Sequence, residues 1–299
     1  MIDACRIGFR KRVVQSLLLV VLCITINARA LAQSSNEAAV SVNRLLYNPW
    51  QKLDAEYVPG NRIGLHTLSI AVSTTSITLD SQAASFARTM FSAMAADGIS
   101  NYVVVSGYRS YERQKQLFEE RVARHRNEGL SQSDAEKQAA TVVAAPGTSE
   151  HQSGYSMDIS STAVGGTLVN NMQNTDVGRW LASNAWRYGY TLRYPSDKTH
   201  ITGVIFEPWH YRFVGAPHAQ ILKLREICLE EYVSLLRDDG RVLSFTDEYG
   251  VVYTLSYTRS IPAIYSVDES LTVVPVGADG AGFIVTRATH TPLSPLRWM

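Results

Sequence analysis

Three short segments of this 299-residue chain concentrate side chains that can do chemistry. The first is Ser106-Gly107-Tyr108-Arg109-Ser110. The second runs Ser149-Glu150-His151-Gln152-Ser153-Gly154-Tyr155-Ser156-Met157-Asp158. The third is Glu207-Pro208-Trp209-His210. His151 and Asp158 are an odd number of positions apart, so a straight strand would place them on opposite faces. Gly154 lies between them and can supply the bend that brings both to one side. Pro208 disfavours a helix interior, and a turn with Pro at its second position brings its first and fourth residues, Glu207 and His210, together. His151, Asp158 and His210 would give a zinc ion three protein ligands and leave a fourth corner for water. Glu207 is then free to act as a base toward that water. The guanidinium of Arg109 suits a two-pronged grip on a substrate carboxylate. Plainer roles compete at each position: a packed or surface histidine, a surface Glu207, an Arg109 that pins a loop by an ion pair. His-x6-Asp is a loose pattern, and spacing alone leaves these alternatives open.

The elements that would hold these residues can be read around them. Residues 81–96 predict a helix, with Phe86, Met90, Phe91 and Met94 at three- and four-residue spacing and Gly98 past its end. Residues 102–105 predict a buried strand that ends at the first segment. Residues 111–126 predict a polar helix with few apolar anchors (Leu117, Phe118, Val122), and Ser133-Asp134-Ala135-Glu136 has the form of a capping box opening another. Residues 176–188 predict a helix stopped by Gly189, residues 190–194 and 211–214 strands, and residues 218–236 one or two helices. Cys228 in that last run reads as a buried packing residue. From Arg241 onward, short β-rich runs alternate with Gly, Asp and Pro turns, which predicts a small all-β appendage.

The N-terminus reads as an address. Arg6, Arg10, Lys11 and Arg12 precede a mostly apolar stretch over 13–26, and Ala30-Leu31-Ala32 follows. This is the form of a secretory signal peptide, too short to span a bilayer, with cleavage after about Ala32. The expected organisation is a signal peptide over 1–32, a main domain over 33–236 and a β-rich region over 237–299. The expected destination is the cell envelope, periplasm or outer surface, with no stable membrane span after cleavage. Removing residues 1–32 takes away five basic residues and one acid, which moves the formal charge from +1 to −3 and leaves Cys228 alone. A lone cysteine forms no internal disulfide and no thiolate metal cluster. With no basic excess, nucleic acid is not expected as a partner.

Taken together, the three segments resemble the VanY-type D-alanyl-D-alanine carboxypeptidases, zinc metallopeptidases of bacterial cell walls. That family carries a Ser-Gly-Tyr-Arg-Ser loop, a Ser-x-His-x6-Asp segment and a Glu-Pro-Trp-His segment in this order. The flanks agree: Gln116-Leu117, Pro146-Gly147, Thr202-Gly203, residues 211–215 and Leu229-Glu230-Glu231-Tyr232. The likeness covers about 45–236. It implies an α+β fold with a central antiparallel sheet and flanking helices, similar to the Hedgehog signalling domain. Position by position it implies His151, Asp158 and His210 as ligands of Zn2+, Glu207 as catalytic base, and Arg109, Ser149 and Gln116 as substrate-binding residues. The implied activity is removal of the terminal D-alanine from peptidoglycan stem peptides. L,D-carboxypeptidase or endopeptidase action at the same site, and a non-catalytic wall-binding role, are the alternatives. His200 and His218 match no ligand position and read as structural. Two departures stand out: Tyr155, expected to narrow the pocket, and Pro49-Trp50 where the family tends to have a lysine.

Overall fold

The computed structural model describes residues 46–260, 271–276 and 282–290. The signal-peptide stretch over 1–32 lies outside the described residues. A two-stranded antiparallel ribbon, β1 (Arg62–Gly64) and β2 (Thr78–Asp80), leads into α1 (Ser81–Ala96), whose first turn is capped by the Asp80 carboxylate accepting from the Gln82 amide. After β3 (Tyr102–Ser106) come α2 (Tyr111–Asn127) and α3 (Gln132–Ala140). Then follow β4 (Ser156–Ser161), α4 (Asp176–Asn184), β5 (Tyr190–Leu192), the single turn α5 (Thr199–Thr202) and β6 (His210–Phe213).

Strands β3 to β6 form an antiparallel sheet in the order β3-β4-β6-β5. Strand alternation gives this sheet two unlike faces. Met157, Ile159, Tyr211 and Phe213 point into an apolar core that α1 fills with Ala83, Ala87, Met90, Phe91 and Met94, and α4 with Val177 and Leu181. Ser156, Asp158, His210 and Arg212 lie on the opposite face, yet are buried as well. That second face is polar and covered, and it carries the chemistry.

Two helices, α6 (Ala216–Arg225) and α7 (Leu229–Arg237), follow the sheet, so residues 218–236 form two elements rather than one. Glu226 between them adopts a left-handed conformation, φ 53°, which stops the first helix. A second antiparallel sheet, ordered β7-β8-β10-β9, is built from β7 (Leu243–Thr246), β8 (Val251–Thr258), β9 (Leu271–Pro275) and β10 (Phe283–His290). Its Leu243, Leu255, Val274 and Ile284 share one core with Ile221, Leu222, Tyr232, Val233 and Leu236 of the two helices. The Leu46 amide also donates to the Val276 carbonyl at 2.9 Å. The change from helices to strands falls at Arg237, but the apolar core runs across it.

Several local expectations shift. The cap of α3 is Ser131, not Ser133: its hydroxyl accepts from the Asp134 amide at 3.2 Å and donates to the Asp134 carboxylate at 2.6 Å. Residues 176–188 are helical throughout, but the α-helix ends at Asn184 and the last turn tightens to a 3-10 helix before Gly189. Phe86 lies at the edge of the core, with its ring 5.1 Å from that of Phe213. Among the described residues, no helix is long and apolar enough to cross a membrane.

Candidate metal centre and active site

The register of the first sheet brings the site together. Asp158 in β4 sits directly opposite His210 in β6 and, across a bulge, opposite Ser106 at the end of β3. Side chains at paired positions lie about 4.5–5.5 Å apart at Cβ, so one sheet row offers a hydroxyl, a carboxylate and an imidazole. His151 enters from outside the sheet, on a 3-10 turn over Glu150–Ser153. That turn ends at Gly154, φ +77°, where a Cβ would crowd Pro59 and the Asp80 backbone. The glycine therefore makes the bend that the His–Asp spacing required. The third segment forms the expected turn: the His210 amide donates to the Glu207 carbonyl at 3.1 Å.

The ligating atoms of His151, Asp158 and His210 all lie within 4.8 Å of one another, and all three residues are buried. His151 Nε2 is 3.3 Å from Asp158 Oδ2, and His210 Nδ1 is 3.3 Å from Asp158 Oδ1. Asp158 Oδ1 nevertheless has no hydrogen-bond partner of proper geometry. Two ligands of a tetrahedral zinc with bonds of about 2.0–2.1 Å are separated by about 3.3–3.4 Å. These contacts thus match the edges of a cation's coordination shell, and the orphaned carboxylate oxygen is the atom a cation would satisfy. The residues fit zinc.

Each imidazole is held from behind. His151 Nδ1 lies 2.7 Å from the Gly107 carbonyl, which fixes the proton on Nδ1 and leaves Nε2 as the ligand. Gly107 itself is required, because a Cβ there would collide with the Thr78 carbonyl oxygen. His210 is held the other way: its Nε2 faces the Glu150 carboxylate at 3.4 Å, and Nδ1 faces the cluster.

Glu207 stands beside the ligands, with Oε2 3.6 Å from His210 Nδ1. Burial, opposed by the charges of His210 and Arg109 and assisted by those of Asp158 and Glu150, pushes its pKa up to about 7. A carboxyl group so tuned can accept and return a proton near neutral pH. Burial also acts on Asp158, but the two histidines outweigh it and hold that carboxyl far below its ordinary range. For His210, burial is overcome by its bonds to Asp158 and Glu150, and the pKa rises to about 9.

Arg109 faces the same cluster. Its guanidinium is 3.7 Å from Asp158 and donates to Ser106 Oγ at 3.0 Å and to Gln114 Oε1 at 2.9 Å. The Arg109 amide donates to the His151 carbonyl at 3.1 Å, tying the first segment to the second. Ser149 is buried just before the His151 turn, and its hydroxyl caps no helix amide.

Two expectations at the site are corrected. Gln116 is exposed on α2 and bonds Glu120 at 2.8 Å. The inward residue is Gln114, buried and bonded through Nε2 to the Ala144 carbonyl at 2.6 Å. Two residues turn a helix by about 200°, so the two glutamines cannot share a face. Tyr155 does not narrow the site: it points to the apolar side of the sheet, packed near Phe213. His200 is exposed, and His218 is buried against the Tyr232 hydroxyl at 2.8 Å, both away from the cluster.

Sequence reasoning missed a buried charge network behind His210. Glu150 accepts from Arg193 Nε at 2.7 Å and from Ser156 Oγ at 3.1 Å, and Arg212 lies 3.6 Å away. Arg193 in turn grips Glu230 with both terminal nitrogens, at 2.6 and 2.9 Å. Burial alone would raise the Glu150 pKa, but the two guanidiniums hold it far below the ordinary range. The available signal was two acids, Glu150 and Glu230, inside segments that already carried the resemblance.

Comparison with known proteins agrees with this geometry. The family described as VanY, D-alanyl-D-alanine carboxypeptidase, matches residues 76–216. A D-alanyl-D-alanine carboxypeptidase of Enterococcus faecalis (strain ATCC 700802 / V583) is 41% identical over 156 residues, 52% of this chain and 56% of that protein, so the chain spans little more than half of its length. Among solved structures, a vancomycin resistance D,D-pentapeptidase VanY in complex with Zn(II) is 37% identical, with a TM-score of 0.52 over 63% of this chain and 97% of that one. The LdcB LD-carboxypeptidase is 35% identical, with a TM-score of 0.56 over 63% of this chain and 84% of that one.

Proposed function

Because the chain belongs to the VanY D-alanyl-D-alanine carboxypeptidase family, we propose that it is a zinc-dependent carboxypeptidase that removes the terminal D-alanine from peptidoglycan stem peptides. The observation that carries this reading is the placement of Glu207, a buried carboxyl group whose pKa burial raises to about 7, beside a His-Asp-His cluster that the Arg109 guanidinium also faces. His151, Asp158 and His210 would hold the zinc. A zinc ion there supplies Lewis acidity, polarising a carbonyl and making a water acidic near neutral pH. Glu207 takes the proton of the attacking water and passes it to the leaving amine. Arg109, oriented by Ser106 and Gln114, pairs with the free carboxylate of the substrate, which selects a chain end over an internal peptide bond. The Ser149 hydroxyl adds a neutral hydrogen bond to the same terminal residue.

The proposal includes export to the cell envelope, on the basic-apolar-small pattern over 1–32. It also includes a signal peptide over 1–32, a catalytic domain over 33–236 and a β-rich region over 237–299. A second reading, L,D-carboxypeptidase action on shorter stems, is supported by the likeness to the LdcB enzyme. Purified chain loaded with zinc and incubated with penta- and tetrapeptide muropeptides separates the two by mass spectrometry. Loss of one D-alanine from pentapeptides supports the first reading. Cleavage of tetrapeptides alone supports the second, and no cleavage of either with zinc bound ends both.

A further inference from the structure

The charges buried behind His210 are more than a fold requires. Glu150, Arg193 and Arg212 are almost completely inaccessible, and Glu230 is largely covered. Desolvating four charges is costly before pairing offsets it, and apolar residues of the same volume often stabilise a fold as well. Such a group serves specificity of arrangement more readily than stability. What it arranges is visible in the contacts. Arg193 turns its Nε edge to Glu150 at 2.7 Å and its NH1–NH2 edge to Glu230, so one rigid plane spans both carboxylates. Glu150 then presents Oε2 to His210 Nε2 at 3.4 Å. Asn48 Nδ2 closes the far end with a bond to Glu230 Oε1 at 3.3 Å. Glu230 sits in the first turn of α7, whose other face (Leu229, Val233, Leu236) is packed into the core shared with the C-terminal sheet.

We propose that Glu150, Arg193 and Glu230 form a positioning relay. It fixes His210 as an Nδ1 ligand and makes the metal centre depend on the seating of α7, and through α7 on the C-terminal sheet. The proposal rests on the zinc reading of the site. An imidazole without this partner can rotate or carry its proton on either nitrogen, and only one of those states offers Nδ1 to the cluster. The relay selects that state from a distance of three side chains. A lysine at position 193 could not replace the plane, since a point charge on a flexible stem reaches one carboxylate at a time.

The test is zinc affinity, measured by chelator competition on the full chain, with the melting temperature recorded with and without zinc. Glu150→Gln should weaken zinc binding about 10–100-fold, as loss of a ligand's hydrogen-bonding partner typically does. Arg193→Lys and Glu230→Gln should each weaken it by roughly 10-fold, and the Glu150→Gln/Glu230→Gln pair by less than the product of its single effects. The gain in melting temperature on adding zinc should shrink in all of them. A merely structural ion pair would lower the melting temperature of the zinc-free protein and leave zinc affinity unchanged. Zinc affinity within about twofold of wild type in both Arg193→Lys and Glu230→Gln would therefore overturn the relay. Should these variants fail to fold, long-range 15N–1H NMR of the wild-type zinc form decides: a protonated Nε2 on His210 is expected, and a metal-bound Nε2 overturns the proposal. A wild-type chain that binds no zinc would instead sink the functional reading on which the relay rests.

Discussion

The two four-stranded sheets of this protein are built alike and used differently. The first is covered on both faces, and one of those faces is polar: Ser156, Asp158, His210 and Arg212 are all buried there. The second spends its inward positions on Leu243, Leu255 and Ile284, and its interior contributes stability rather than chemistry. Its neighbouring helix holds a buried histidine, His218, but this residue bonds a tyrosine and, among the described residues, belongs to no metal-ligating group. The contrast shows that a buried ionisable group gains a chemical role through convergence. His218 is satisfied by one partner, whereas at the first sheet three ligands, a base and a cation meet.

That comparison can be broken at its strongest point first. Glu207→Ala should lose about 10²–10⁴-fold or more in D-alanine release while still binding close to one zinc per chain, because the base is removed and the three ligands are kept. Retained activity would remove the mechanism. Arg109→Ala should cost about 2–5 kcal/mol in kcat/KM toward substrates with a free carboxylate, the usual loss when one partner of a buried charge pair is deleted. An amidated substrate should show almost no difference between wild type and variant.

The second sheet should give the reverse pattern. Leu255→Ala should lower the unfolding free energy by about 2–5 kcal/mol in denaturant titrations, with any loss of zinc affinity smaller than in Glu230→Gln because it reaches the site only through the packing of α7. A smaller effect of opposite sign is expected at the site. Burial holds a proton on Glu207 up to a pH of about 7, whereas the unfolded chain releases it near 4.5. Ionising it in the native state therefore costs stability as pH rises through that window. The zinc-free Glu207→Gln variant should be more stable than wild type by about 0.5–2 kcal/mol above pH 7, as measured by chemical denaturation.

A second pH effect, away from the site, concerns His218. Burial lowers its pKa to about 4, while the unfolded chain takes up the proton near 6.5. Its contribution to stability is present above pH about 6.5 and is lost as pH falls toward 4. His218→Asn should flatten this part of the acid limb in a pH series of thermal melts, without changing zinc affinity.

What the sequence disclosed follows from the range of the interactions. His151, Asp158, Glu207 and His210 were legible because three motifs in order carried the family resemblance, and because each pair is joined by a short local device, a left-handed glycine or a proline turn. The helices and strands near the site were legible from periodicity. Gln114 was missed in favour of Gln116 because the phase of α2 is set by its Ser110 cap, and two residues decide between the inner and outer face. The Arg193–Glu230 pair spans 37 positions, and no local pattern announces it. Tyr155 was misplaced for a related reason: the residue after Gly154 takes whichever face the bend assigns, and the apolar core claimed it.

The central claim is that His151, Asp158 and His210 close around one metal ion. Anomalous diffraction at the zinc edge from crystals of the zinc-loaded protein tests it directly. A single peak is expected, within bonding distance of His151 Nε2, an Asp158 carboxylate oxygen and His210 Nδ1. A peak at any other set of residues, or an ordered zinc-soaked site with no peak among these three side chains, would contradict the account.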